Sequence, residues 1–175
     1  FTDFEVIVVN NYSEDDTLEV IKEVGDHRVQ VVNYRNRGVI GAARNAGIRV
    51  SQGTYVAFLD SDDIWYPSKL ERVSEAIKLD PQVGLFCHNQ DWLRQYELAV
   101  QSHFGPPPGY AGDMFEHLML EYNGPSTSAT IVARRYLNEV GLFSEDPGYI
   151  TVEDYDLWLK LSQVCSFRFM DEVLG

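Results

Sequence analysis

Along this chain, continuous apolar runs alternate with stretches whose apolar positions recur at helical spacing, and several runs end abruptly in polar residues. Val6-Ile7-Val8-Val9 is unbroken rather than alternating, as expected of a strand covered on both faces. It predicts a strand over 5–9 that stops at Asn10-Asn11. Residues 15–24 predict a helix: acids occupy the first turn, Leu18, Ile21 and Val24 share a face, and Gly25 supplies a stop. A second strand is expected over 29–32. A helix over 40–50 follows, where Ala43, Ala46 and Gly47 fall on one side and permit close approach to a sheet. The third strand, 55–59, runs straight into Asp60-Ser61-Asp62-Asp63, and Pro67 opens a helix to about 79. Such alternation of strand and helix predicts an α/β domain built on a parallel sheet.

The second half is less regular. It predicts a strand over 83–87, a short helix over 114–121, a strand over 130–133, and helices over 135–140 and 151–164. Residues 89–112, including Gly105-Pro106-Pro107-Pro108-Gly109, show weak periodicity and read as a surface loop or a substrate-side flap. No repeat or linker is visible, and 175 residues suit one domain with a real core.

Charge and composition narrow the function. A net charge of −13 without a basic stripe opposes binding to a nucleic-acid backbone. No apolar run approaches the length of a membrane span, and the first residues lack a leader pattern, so a cytoplasmic protein is expected. Cys87 and Cys165 sit in apolar company without a second ligand at metal spacing, which predicts buried free thiols. The four histidines are scattered, which favours structural roles. Glu139, Glu145, Asp146, Glu153, Asp154 and Asp156 follow one another with no Lys or Arg between, so a nucleotide bound nearby would need a cation to offset their field.

Three carboxylates within the four residues 60–63 repel one another and resist desolvation. They must stay wet, cap a helix or hold a cation. In the plain reading Asp63 caps the helix near Pro67 and Asp60 is a solvated strand end. A calcium loop of the EF-hand type fits poorly, because a strand precedes the acids and the sixth position is Trp65 rather than glycine. A divalent cation held here could hold a diphosphate in turn, which suggests metal-assisted transfer from a phosphorylated donor. Ligands of open parallel sheets bind beyond the carboxyl ends of the strands, where Asn10-Asn11, residues 33–37 and residues 60–63 lie. Arg44 could offer a guanidinium to a phosphate or base there, or form a surface salt bridge. The segment Thr151-Val152-Glu153-Asp154-Tyr155-Asp156 reads either as Thr151 capping a helix with an acidic first turn, or as a general base in a partly dehydrated cleft.

Four segments, taken in order, resemble the blocks of family 2 glycosyltransferases of the GT-A fold. They are Phe4-Glu5-Val6-Ile7-Val8-Val9-Asn10-Asn11-Tyr12-Ser13, Gly41-Ala42-Ala43-Arg44-Asn45-Ala46-Gly47-Ile48, Leu59-Asp60-Ser61-Asp62-Asp63-Ile64-Trp65 and Glu153-Asp154-Tyr155-Asp156-Leu157-Trp158. The resemblance implies a Rossmann-like, mostly parallel sheet with helices on both faces. It implies one catalytic domain over 1–175, with a nucleotide-sugar-binding half (1–88) and an acceptor-side half (89–175). The implied reaction moves a sugar from a nucleotide diphosphate donor to a hydroxyl of a carbohydrate or lipid-linked acceptor, with inversion.

In that reading the D-x-D motif falls on Asp60-Ser61-Asp62, with Asp62 the main carboxylate on Mn²⁺ or Mg²⁺ and Asp60 near the ribose or the metal shell. Asn11, Arg44 and Ser61 join the nucleotide-sugar side, Asp154 is the base, and Glu153 faces the acceptor. Cell-surface polysaccharide synthesis, with peripheral association at the inner membrane face, is the setting this family suggests. Asn10-Asn11 replaces the family's usual pair of aspartates and Tyr12 its usual glycine, which bears on base preference. The absence of the processive synthases' glutamine-and-arginine-tryptophan signature favours single-sugar addition. The family's first strand would lie before Phe1, and its usual end beyond Gly175, so a longer polypeptide truncated at both ends is expected. Rival readings are a non-catalytic sugar-nucleotide-binding module and a nucleotidyltransferase, the latter expected to carry a glycine-rich basic loop.

Overall fold

In the computed structural model of this protein, residues 1–94, 97–107, 110–121 and 124–175 are described, so the end of the proline-rich run, Pro108 and Gly109, lies outside the described residues. The chain forms two compact units. One comprises Thr2–Gly53 and Leu142–Asp156; the other comprises Thr54–Gly141 and Leu157–Gly175, together with Phe1.

In the first unit, β1 (Val6–Asn10) pairs in parallel with β2 (Val29–Asn33), Val6 opposite Val29 and Asn10 opposite Asn33. Between them, α1 (Thr17–Val24) ends where expected: Gly25 takes the left-handed conformation at φ 63° and returns its amide to the Lys22 carbonyl. The next helix, α2 (Ile40–Val50), has the expected bounds and buries Gly41, Ala42, Asn45, Ala46 and Ile48. Its close approach to β1 is real, since a Cβ on Gly47 would lie 3.1 Å from Val9 Cγ2. Ala43, expected on the packed side, is only half-buried, and Ala42 occupies the buried position instead.

The second unit carries a five-stranded sheet in the order β3 (Tyr55–Ala57), β6 (Thr130–Ala133), β4 (Leu85–Arg94), β5 (Glu97–Ser102), with β7 (Phe167–Val173) also paired to β4. The expectation of a mostly parallel sheet is corrected here. Among the described residues, β1 with β2 and β4 with β7 run parallel, whereas β3 with β6, β6 with β4, and β4 with β5 are antiparallel. The cause is topological: a short connection can return β5 beside β4 only in the opposite sense, and β6 enters between β3 and β4 against both.

The strand expected over 55–59 is shorter than its apolar run. Phe58 still donates its amide to the Thr130 carbonyl at 3.2 Å, but Leu59 has left the ladder and is 48% exposed. Within 89–112, expected as a surface loop or flap, residues 89–94 and 97–102 are instead paired antiparallel strands, with Trp92 opposite Val100 and Leu93 opposite Leu98. Their periodicity is weak because all four of those side chains are exposed, so no buried face imposes alternation. β7 has no counterpart among the expected strands.

The core of this unit gathers Val73 and Ala76 of α3 (Lys69–Leu79) with Val83, Phe86, Ile131, Met170 and Leu174. Phe58 and Trp158 add a tilted ring pair with centroids 6.5 Å apart. Two short helices follow expectation: α4 (Met114–Leu120), whose first turn donates the Glu116 amide to the Asp113 carboxylate, and α5 (Arg134–Val140), which stops at left-handed Gly141. The last helix, α6 (Glu153–Ser162), begins two residues later than expected. Thr151 lies outside it in the left-handed region, at φ 73°, and so is not its cap. Cys87 is buried as expected and Cys165 only half-buried, both as free thiols. Among the described residues, no helix is long and apolar enough to cross a membrane.

Candidate functional site

The first unit holds Asn11, Arg44, Glu153 and Asp154 among the residues singled out in the sequence. Asn10, buried at the end of β1, clasps the neighbouring strand: its Nδ2 donates to Asn33 Oδ1 at 2.8 Å and its Oδ1 accepts the Ser13 amide at 3.0 Å. Asn11 is exposed, and its Oδ1 accepts the Asn36 amide at 3.0 Å. The structure brings Arg44 and Glu153 together, 109 positions apart in sequence, as an ion pair with Nη1 to Oε1 at 2.6 Å. Their side chains are 14% and 6% exposed, and Glu153 Oε2 has no hydrogen-bond partner among the described residues. Asp154 is half-buried, with Oδ1 accepting the Tyr155 amide at 2.7 Å.

The acids between 139 and 156 are therefore not left to an external cation alone. Arg44 meets Glu153, while Glu145 accepts from Asn45 Nδ2 at 2.9 Å and from Arg49 at 2.7 Å. Those two hydrogen bonds, that from Asn45 foremost, hold the Glu145 carboxyl below its usual range. Helix α2 supplies both arginines, which a scan for basic residues within the acidic stretch itself does not find.

Asp60, Ser61 and Asp62 stand on a loop of the second unit, where the chain leaves β3. The loop is closed on itself by the Asp63 amide donating to the Asp60 carbonyl at 3.1 Å. Asp63 does not cap α3, which begins at Lys69 with no side-chain cap. Ser61 and Asp62 are exposed and Asp60 half-buried.

Three contacts tie the loop to the 3-10 turn Thr127–Ala129. The Asp60 amide donates to Ser128 Oγ at 2.9 Å, Trp65 Nε1 donates to the Ser128 carbonyl at 2.9 Å, and Lys69 Nζ donates to that same carbonyl at 2.7 Å. The Lys69 nitrogen also lies 3.8 Å from the centre of the Trp65 ring. Burial pushes the Lys69 ammonium down to about 6, against the opposing pull of Cys87 and Asp63. Neither Ser128 nor Lys69 was singled out in the sequence: a lysine opening a helix reads as solvated, and one serine among Ser126, Thr127 and Ser128 carries no signal.

Asp60 and Asp62 supply hard carboxylate oxygens. Among the described residues, no three His, Cys, Asp or Glu side chains cluster into a self-sufficient metal cage. Mg²⁺ is commonly held by one or two carboxylates plus substrate phosphates, and Mn²⁺ favours the same oxygen ligands. The donor set thus fits a cation shared with a diphosphate.

The chain is similar to several known proteins. An Escherichia coli relative, the UDP-Glc:alpha-D-GlcNAc-diphosphoundecaprenol beta-1,3-glucosyltransferase WfaP, is 28% identical over 162 residues, covering 92% of this chain and 59% of its own length. The S. aureus TarS 1-349 structure in complex with UDP superimposes with a TM-score of 0.71 at 19% identity, over 99% of this chain and 50% of that one. The mannosyltransferase PcManGT from Pyrobaculum calidifontis, in complex with GDP-Man and Mn2+, gives a TM-score of 0.63 at 19% identity, over 97% of this chain and 45% of that one. The likeness to the two structures is one of fold, the expected α/β GT-A class, and the chain spans little more than half the length of WfaP and about half of each of these structures. Residues 1–136 match the family described as Glycosyl transferase family 2, and the chain belongs to that family.

Proposed function

We propose that this chain is part of an inverting glycosyltransferase that moves a sugar from a nucleotide diphosphate donor to a hydroxyl acceptor. The observation that carries the reading is the family match over residues 1–136, which includes the acidic loop. The UDP bound to TarS and the GDP-Man and Mn2+ bound to PcManGT support a nucleotide-sugar donor. The name of WfaP supports a lipid-linked acceptor, and with it a role in cell-surface polysaccharide synthesis at the inner face of the membrane.

Asp62 and Asp60 would hold Mn²⁺ or Mg²⁺. When bound, the cation supplies charge neutralisation for the departing diphosphate. Asn11 meets the base edge with the nitrogen of its carboxamide, because its oxygen is engaged by the Asn36 amide. Arg44 holds Glu153 through their ion pair, and Glu153 flanks Asp154 on the acceptor side. Asp154, held by its bond from the Tyr155 amide, takes the proton of the acceptor hydroxyl as that oxygen attacks the sugar. Inversion follows from a single in-line displacement.

The test is a screen of nucleotide sugars on the intact protein with Mn²⁺, following release of nucleoside diphosphate in the presence of acceptor. Asp62→Ala should abolish metal-dependent donor binding, and Asp154→Asn should spare binding while removing turnover. Full turnover by Asp154→Asn removes it as the base, and metal-independent binding with no turnover by the wild type identifies a binding module instead.

A further inference from the structure

Ser128 is 1% exposed and Lys69 fully buried, yet Ser128 spends its hydroxyl on the acidic loop and Lys69 its nitrogen on the Ser128 carbonyl. A buried lysine nitrogen is unfavourable where an apolar side chain of similar length would fill the same space. Here it reaches the carbonyl of the one residue whose hydroxyl also receives the Asp60 amide. Trp65 Nε1 takes a second place on that carbonyl, and its ring lies under the Lys69 nitrogen. The turn is braced independently on its other side, where Thr130 Oγ1 donates to the Ser126 carbonyl at 2.6 Å. Ser128 thus meets the loop at both ends, its hydroxyl at the Asp60 amide and its carbonyl at the Trp65 indole, while Lys69 from the start of α3 steadies that carbonyl.

We infer that Ser128 and Lys69 are positioning residues for the Asp60–Asp62 carboxylates, setting the geometry in which they meet a divalent cation. The inference rests on the proposed metal-assisted reading of the same loop and adds to it residues that touch neither metal nor donor. A loop that opens with three acids would otherwise splay under their mutual repulsion. The Ser128 hydroxyl fixes the backbone at the first acid, and its carbonyl holds the Trp65 side chain two residues beyond the last acid, together with the Lys69 side chain at the start of α3.

The experiment uses the intact protein and two readouts: hydrogen exchange of the Asp60 amide, and the affinity for Mn²⁺ alone from the free-ion electron paramagnetic resonance signal. Ser128→Ala keeps Cβ and removes only Oγ. It should speed Asp60 exchange about tenfold and weaken Mn²⁺ about five- to tenfold. Thr130→Val breaks the bond on the far side of the same turn and should leave both readouts at wild-type values. Lys69→Met, of nearly equal volume, should weaken Mn²⁺ in the same direction as Ser128→Ala and decides the matter if that variant fails to fold. Unchanged exchange and affinity in Ser128→Ala overturn the inference, as does an equal loss of affinity in Thr130→Val. If the wild type binds no Mn²⁺ while Ser128→Ala alone frees the Asp60 amide, the anchor is upheld and the metal reading of the loop is overturned.

Discussion

Replacing Arg44 with methionine tests what that guanidinium does. The change keeps most of the side chain's length and removes the charge facing Glu153, whose side chain is 6% exposed and whose Oε2 already lacks a hydrogen-bond partner among the described residues. Removing one member of a buried pair costs about 3–5 kcal/mol, because the survivor is left charged and desolvated. Arg44 is 14% exposed, so some water can reach the vacated place, and the lower end, about 3 kcal/mol, is expected. With a urea slope of about 2 kcal/mol/M, the midpoint falls by about 1.5 M.

Glu153→Gln should cost less, about 1 kcal/mol, since a neutral amide still accepts from Arg44. The double variant Arg44→Met with Glu153→Met removes both charges and should recover most of the loss. Far-UV circular dichroism is the right probe. Trp65, Trp92 and Trp158 all lie in the other unit, so fluorescence would report the wrong part of the chain. A midpoint shift below about 0.3 M in Arg44→Met, with affinity for nucleotide lost, would refute the ion-pair account and return Arg44 to the donor side.

Stability should rise with pH from about 4 toward 9. Burial lowers His88 from its usual value to about 4 and Lys69 to about 6, so across each interval the unfolded chain binds more protons than the folded one. Asp63, Cys87 and His88 are the charged or titratable neighbours coupled to Lys69, and Cys87 and Cys165, both pushed up to about 12 by burial, together reverse the slope above pH 9. Urea midpoints at pH 5, 7 and 9 check this, and Lys69→Met should flatten the rise between 7 and 9. Gly41→Ala should destabilise by about 2 kcal/mol or more, because its Cβ would stand 2.3 Å from the Ser144 carbonyl oxygen. Gly47→Ala should stay within about 1 kcal/mol of wild type, the helix gain offsetting a 3.1 Å contact with a movable Val9 methyl; thermal melts of the pair distinguish them. Both thiols, pushed up to about 12 chiefly by burial, should react with a disulfide reagent at pH 8 only as the protein unfolds, and prompt reaction of Cys165 would show that its half-buried position leaves it accessible.

The amino-acid sequence by itself determined what depends on near neighbours. The bounds of α2 and β6, the stop of α1 at Gly25 and the stretch of acids leaving β3 all follow from periodicity and from residues with restricted or permissive backbones. Four short blocks in order were enough to point to the family that the match over residues 1–136 then showed. Tertiary structure decided what depends on distant partners. The sense in which β6 and β7 join β4 is invisible in any local window, since an apolar run has the same composition whichever way its neighbour runs. The hairpin from β4 to β5 escaped because its exposed faces leave no alternation to read. Arg44 finds Glu153 across 109 positions, and Ser128 finds the Asp60 amide across 68. Such contacts are selected by the packing of whole elements, which brings together groups that carry no mark of one another in sequence.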